Sequence, residues 1–283
     1  MTATTTPPPL SVIGVPEHFN LAWYALAEEG LIEWTDVAEG TGAMLEMLQN
    51  GDADVALTLT DGAVAGIAKG IPVQVSGCYV ESALVWGVHV AANSASHKPG
   101  DIVGQRFAIS RYGSGSHLMA NVYAQSRQWP DESLEYVVVN TLTGARHALP
   151  SGDAEIFLWE VFTTKPYVEA GEFRRIDAIP TPWPAFVACV HRDASATTKA
   201  RTSDILTAAL ARAAALRKAP NAENTFAKRF GLKPDDAREW LKQTRWSQDG
   251  AISDATIAQT AQVLQQADIL TVDQVASLNH WRA

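Results

Sequence analysis

The sequence predicts an α/β protein of two similar lobes, each a mixed, mostly parallel sheet flanked by helices, with a helical C-terminal tail. Three observations carry this. Short apolar runs alternate with amphipathic helical stretches, the pattern of strands joined by helical crossovers. The order then repeats and a motif repeats with it. Leu48-x-x-Gly51-Asp52-Ala53-Asp54-Val55 and Leu149-x-x-Gly152-Asp153-Ala154-Glu155-Ile156 stand 101 positions apart, and Gly42-Ala43 and Gly144-Ala145 stand 102 apart, which argues for two like-built units. From Thr202 onward strand signals stop and helical periodicity takes over.

In order, residues 10–15 read as an apolar strand, and Pro16 opens a helix with Phe19, Ala22, Trp23 and Leu26 on its apolar face and Gly30 after its end. Residues 32–37 are the next strand. Thr41 and Gly42 begin a helix carrying Met44, Leu45 and Leu48 that Gly51 closes, and residues 54–59 are a third strand. A small-residue helix over 62–69 stops at Gly70 and Pro72, before a strand at 73–76. The second unit reads as strand 107–109, helix 116–126, strand 136–139, helix 143–149, strand 156–158, helix 162–170 and strand 174–179. Helices follow over 202–219, 234–243, 253–267 and 272–278. The expected lobes are residues 10–91 with 185–283, including the tail, and residues 92–184. They are hinge-linked through crossover segments at 85–91 and 185–190.

A chain of 283 residues that is 47% hydrophobic and 19% charged has the composition of a globular protein. Its net charge of −9, without a basic cluster, excludes nucleic acid as a partner class. Cys78 and Cys189 provide neither a disulfide framework nor metal spacing, and the seven histidines show no metal spacing either. No metal or cofactor is expected. Residues 1–9 have no basic or apolar signal region, so the chain as sequenced reads as cytoplasmic, and as periplasmic if a signal has been trimmed.

Four stretches resemble the type 2 periplasmic solute-binding proteins in their nitrate/sulfonate/taurine branch, a group that also holds the thiamine pyrimidine synthase-like proteins. Leu48 to Leu57 (LQNGDADVAL) is similar to that family's helix-to-strand segment. Asp101 to Ser116 (DIVGQRFAISRYGSGS) resembles the opening of its second lobe and the ligand-facing turn, Trp159-Glu160-Val161-Phe162 its Trp-acid-Pro-aromatic element, and the tail its return to lobe one. Val161 stands where the family has proline, and the cysteine-rich run of the thiamine-precursor enzymes is absent. The resemblance implies a protein that closes two lobes over a small molecule, with an ABC transporter permease as partner.

In doubly wound sheets, ligands sit beyond the carboxyl ends of the strands. That rule selects Glu17, His18, Phe19, Thr41, Thr58, Thr60, Asp61, Tyr79 and Glu81 in lobe one. In lobe two it selects Arg111, Tyr112, Gly113, Ser114, Gly115, Ser116, His117, Asn140, Thr141, Trp159, Glu160 and Trp183. The turn from Ser110 to His117 joins a strand to a helix, and its glycines, serines and helix N-terminus suit a ligand's polar groups, with an ordinary helix cap as the competing reading. Arg111 and His117 suit an anion, whereas Glu81 and Glu160 suit an amine or ring N–H. The ligand is therefore read as anionic or heteroaromatic. Trp86, Trp159 and Trp183 near the strand ends favour a flat or apolar body.

The chain has no Gly-x-Ser-x-Gly, Walker loop, His-Glu-x-x-His or full dinucleotide turn. A binding protein for transport or sensing is the leading expectation, with no catalytic residue assigned. The alternative is a lyase, dehydratase or thiamine-precursor-type enzyme on the same scaffold, pairing His18 or His117 with Glu81 or Glu160.

Overall fold

The computed structural model describes residues 7–130 and 134–281. Residues 1–6 of the N-terminal stretch discussed above lie outside the described residues. Two five-stranded sheets organise the chain.

In the first sheet, β1 (Leu10–Gly14) pairs in parallel with β2 (Ile32–Asp36) and β3 (Val55–Leu59). β10 (Phe186–His191) runs antiparallel between β3 and β4 (Val73–Val80), giving the order β2-β1-β3-β10-β4. The crossovers are α1 (Leu21–Glu28), α2 (Thr41–Asn50) and α3 (Thr60–Ala68). In the second sheet, β6 (Arg106–Ile109) pairs in parallel with β7 (Glu135–Val138) and β8 (Ile156–Glu160). β5 (Val85–Ala91) lies antiparallel between β8 and β9 (Phe173–Pro180), giving the order β7-β6-β8-β5-β9. Here the crossovers are α4 (Gly115–Ser126), α5 (Leu142–Ser151) and α6 (Val161–Glu169). The two orders are the same pattern, as the repeated motif predicts.

The motif itself is a structural device. Gly51 and Gly152 both close their helices in the left-handed region, with φ of 78° and 75°, the conformation that costs glycine least. The acid that follows ties the new strand to its neighbour. Ser11 N donates to Asp54 Oδ2 at 2.9 Å and Arg106 N to Glu155 Oε2 at 2.9 Å. In return, Asp54 N donates to Ser11 O and Glu155 N to Arg106 O.

Two compact units result, Met1–Glu81 with Phe186–Asp254 and Ser277–Ala283, and Ser82–Ala185 with Ala255–Ala276. Residues 85–91, expected as a linker in lobe one, form a full strand of the second sheet, because Trp86 to His89 find ladder partners on β8 and β9. Residues 185–190 likewise supply a strand of the first sheet rather than a free connection. The strand expected at 73–76 runs on to Val80.

The tail divides. α7 (Ala196–Lys218), α8 (Ala222–Phe230), unread in the sequence, and α9 (Pro234–Gln243) belong to the first unit. Residues 255–276, with most of α10 (Asp254–Gln266) and all of α11 (Val272–Ala276), belong to the second, where Gln125 Nε2 donates to Gln266 O at 2.6 Å. Periodicity marks the buried stripe Ile257, Ala261 and Leu264 but does not say which unit it covers.

Candidate ligand-binding site

In the first unit the chain leaves β1 through a short 3-10 turn, His18–Asn20, that α8 and α9 cover. His18 stacks on Phe19 at 4.8 Å and meets the edge of Trp240 at 4.4 Å, while Phe19 also packs on Phe186 at 5.0 Å. Tyr79 OH, at 2.7 Å, and Trp246 Nε1, at 3.2 Å, both donate to the Phe19 carbonyl. Burial pushes the His18 imidazole down to about 3, so the ring is neutral at physiological pH and attracts no anion by charge. Its Nε2 has no partner, nor do Asn20 Oδ1 and Thr60 Oγ1.

Thr41 opens α2 and accepts from Leu59 N at 3.1 Å, holding the α2 start to the end of β3. Thr60 and Asp61 lie buried in the first turn of α3. Glu81, past the end of β4, pairs with Arg245 at 3.2 Å. A histidine held near 3 is a poor general base at neutral pH.

In the second unit the stretch after β6 forms a self-contained cap. Ser114 is the N-cap of α4 and its hydroxyl accepts from His117 N. Ser114 Oγ and Ser116 Oγ lie 3.0 Å apart, and Ser116 Oγ accepts from Ser110 N at 2.9 Å. Both hydroxyls are buried. Gly113, at φ 77°, donates its N–H to His117 Nδ1 at 3.1 Å, which places the proton of a neutral His117 on Nε2. Outward from this cap stand Arg111, Gly113 and Tyr112, the last 65% exposed, with the rings of Tyr112, His117 and Tyr136 meeting edge to face.

Asn140, at φ 65°, follows β7, and Thr141 caps α5 by accepting from Gly144 N at 3.1 Å. Glu160 ends β8 and caps α6. Its Oε2 accepts from Phe162 N, Thr163 N and Thr163 Oγ1 at 2.7 to 2.9 Å. Burial lifts its carboxyl to about 7 against those bonds. Trp159 is half-buried, stacked on Phe157 at 5.3 Å and edge-on to Trp86 at 6.1 Å. The indole N–H groups of Trp86 and Trp183 are buried without acceptors.

Apart from Tyr79 and Glu81, at and past the end of β4, and Trp183, past β9, the candidates thus fall into two sets, one at the carboxyl ends of β1, β2 and β3 and the other at those of β6, β7 and β8. Within each unit burial sorts them. Thr41, Arg111, Gly113, Gly115, His117, Asn140, Thr141 and Trp159 keep exposed surface, whereas His18, Phe19, Thr60, Asp61, Ser114, Ser116, Glu160 and Trp183 are buried. Sequence reasoning selected Tyr112 only as part of the run Arg111 to His117 and did not find Tyr136, Phe230, Trp240 or Trp246. Phe230 and Trp240 stand on α8 and α9, and Trp246 lies past α9 in an isolated bridge to Val80, all far in sequence from the strand ends they meet, so no local signal pointed to them. Among the described residues no three His, Cys, Asp or Glu side chains gather as a metal site, and no helix is long and apolar enough to cross a membrane.

A family profile described as Ca3427-like PBP matches residues 86–179. No curated protein matches the chain in sequence. Among solved structures, the Candida albicans CA3427 gene product, described as having the generic periplasmic binding protein fold, aligns over 96% of this chain and 95% of its own, with 26% identity and TM-score 0.86. The aliphatic sulphonate binding protein SsuA of Escherichia coli aligns over 96% and 92%, with 17% identity and TM-score 0.72. The alkanesulfonate-binding SsuA of Xanthomonas axonopodis pv. citri, bound to MOPS, aligns over 96% and 98%, with 18% identity and TM-score 0.73. With the repeated five-stranded order, these whole-length matches establish that the chain has the two-lobed type 2 periplasmic-binding-protein fold.

Proposed function

We propose that this chain is a solute-binding protein that closes its two lobes on one small molecule and hands it to an ABC-type permease. The observation that supports this most is unspent hydrogen-bonding capacity near the strand ends. His18 Nε2, Asn20 Oδ1 and Thr60 Oγ1 in the first unit, and the Trp86 and Trp183 N–H groups in the second, have no partners, although buried polar groups are almost always paired. Aromatic rings flank both sets. Thr41, Arg111, His117, Asn140 and Trp159, which keep exposed surface, are the first contacts we assign to the solute, and the buried residues shape the surface behind them.

The sulfonate-binding neighbours make sulfonates the first solutes to try. Calorimetry against a library of sulfonates, carboxylates and heteroaromatic metabolites should give one class that binds with 1:1 stoichiometry and is recovered unchanged. Recovery of a chemically altered compound would overturn the reading in favour of an enzyme. Small-angle scattering with and without the bound compound should show a smaller radius of gyration at saturation, and an unchanged radius would remove lobe closure.

A further inference from the structure

We infer that the first unit carries a second small-molecule site, away from the strand ends, that takes a small carboxylate bearing a hydroxyl or amino donor. The site is a cavity of about 430 Å³ between the edge strand β4, the first half of α7 and the 250–252 loop. A break in the β4 ladder creates it. Ala188 pairs with Gly77 and the next residue, Cys189, with Val75, so Ser76 is skipped. Such a bulge turns the side-chain alternation over, so Gln74 and Gly77 come to the same face of the sheet.

That face is the one α7 covers, because a Cβ built on Gly77 would lie 2.7 Å from Leu206 Cδ2 and 2.7 Å from the Gly250 carbonyl oxygen. Only glycine lets helix and loop come this close. Lys199 and Ser203, two turns and one turn before Leu206, line the cavity together with Gln74 and Ser76. Among the described residues no acidic side chain lines it.

Gln74 is 9% exposed, and its Oε1 is buried with no donor, an arrangement that is costly unless something fills it. The chemistry of the occupant follows from the walls. An ammonium and two hydroxyls select an anion, and a carboxylate is an anion that can carry a neighbouring donor on the same small molecule. The unpaired amide oxygen requires that donor, a hydroxyl or N–H on the same ligand.

The test uses L-lactate as probe and propionate, which lacks the hydroxyl, as control, each titrated into the full chain while amide resonances are followed by NMR. Lactate should shift the amides of Gly77, Gly250 and Ala251 saturably, and propionate should bind roughly 3- to 10-fold more weakly. Lys199→Gln should weaken lactate about tenfold or more. Gln74→Met, which keeps the side chain's length, should bring lactate down to the affinity of propionate. The absence of saturable shifts at those amides, or shifts unchanged by Lys199→Gln, would show a water-filled groove and overturn the inference. A third solute that binds at the strand ends should leave the lactate titration unaltered, and competition between the two would also overturn a separate site.

Discussion

The two units share a strand order and differ in how their helices begin. In the second unit each crossover helix starts on a side-chain cap, Ser114 for α4, Thr141 for α5 and Glu160 for α6. In the first unit α1, α2 and α3 start at Asn20, Gly40 and Leu59, and none of these side chains caps its helix. What the first unit has instead is an aromatic cluster between the 3-10 turn at His18–Asn20, α8 and α9, with Trp240 touching His18, Phe19, Phe226 and Trp246. Equivalent topological positions therefore do different jobs. Hydroxyls that look like ligand donors in the second unit are spent on their own helices, while in the first unit His18 Nε2, Asn20 Oδ1 and Thr60 Oγ1 remain unpaired.

The largest way to break this comparison is Trp240→Ala. A fully buried tryptophan removed from a packed cluster costs about 3 to 5 kcal/mol, read by chemical denaturation. Hydrogen exchange should lose protection in β1 and β3 well before β6 and β8. Equal loss in both sheets would mean that the aromatic cluster does not belong to one unit alone.

The next effect separates the units by pH. His18 is held near 3, below its ordinary 6.5, so between those values the unfolded chain binds the extra proton and stability falls as pH drops. Glu160 is held near 7, above its ordinary 4.5, so the folded chain binds the extra proton and stability falls as pH rises through that window. By linkage each contributes a change of about 2 kcal/mol between pH 5 and pH 7, with opposite sign. His89 in the second unit, pushed down to about 4 by burial, acts in the direction of His18. Urea unfolding at the two pH values should show His18→Phe gaining stability at pH 5 relative to pH 7, compared with the parent. Glu160→Gln should show the reverse relative change, on top of any loss from the weaker cap. Parallel pH profiles for parent and variants would remove both assignments.

Gly51→Ala and Gly152→Ala sharpen the likeness of the two units. Each forces alanine into the left-handed region, at about 1 to 2 kcal/mol, and the two losses should agree because the turns are built alike. A difference larger than that range would mean the repeat is one of letters only.

The smallest effects test the caps. Ser114→Ala and Thr141→Ala should each lower stability by about 1 kcal/mol, with solute affinity unchanged in the calorimetric assay, because those hydroxyls already hold amides of their own helices. A loss of affinity at unchanged stability would return Ser114 to the ligand.

Much of the fold is local and so was legible. Gly51 and Gly152 stop helices because of their own backbone freedom, and the acid after each turn sits where the next strand must start. The apolar runs of β1, β3, β6 and β8 name themselves by composition. The fifth strand of each sheet was harder to read. Val85 to Ala91 and Phe186 to His191 pair antiparallel with strands far away in sequence, and no local pattern separates such a segment from a linker. Of the candidate site, the turn at Ser110 to His117 was found by its glycines and serines, but the direction of its hydroxyls was not, since Ser116 points at Ser110 N only once β6 and α4 are packed.

The sequence by itself determined two α/β units, their duplicated turn and the strand-end sets from which a site can be drawn, because helix periodicity, glycine conformation and apolar runs act over a few residues. Tertiary structure alone decided which of those residues are spent and which are free. His18 becomes a neutral, enclosed ring because Trp240 arrives from more than two hundred residues away, Glu160 becomes a cap because α6 starts on it, and the Gln74 amide oxygen lies buried without a donor close to the residue that β4 skips against β10. Burial and pairing depend on which distant surfaces meet, and no short stretch of chain carries that information.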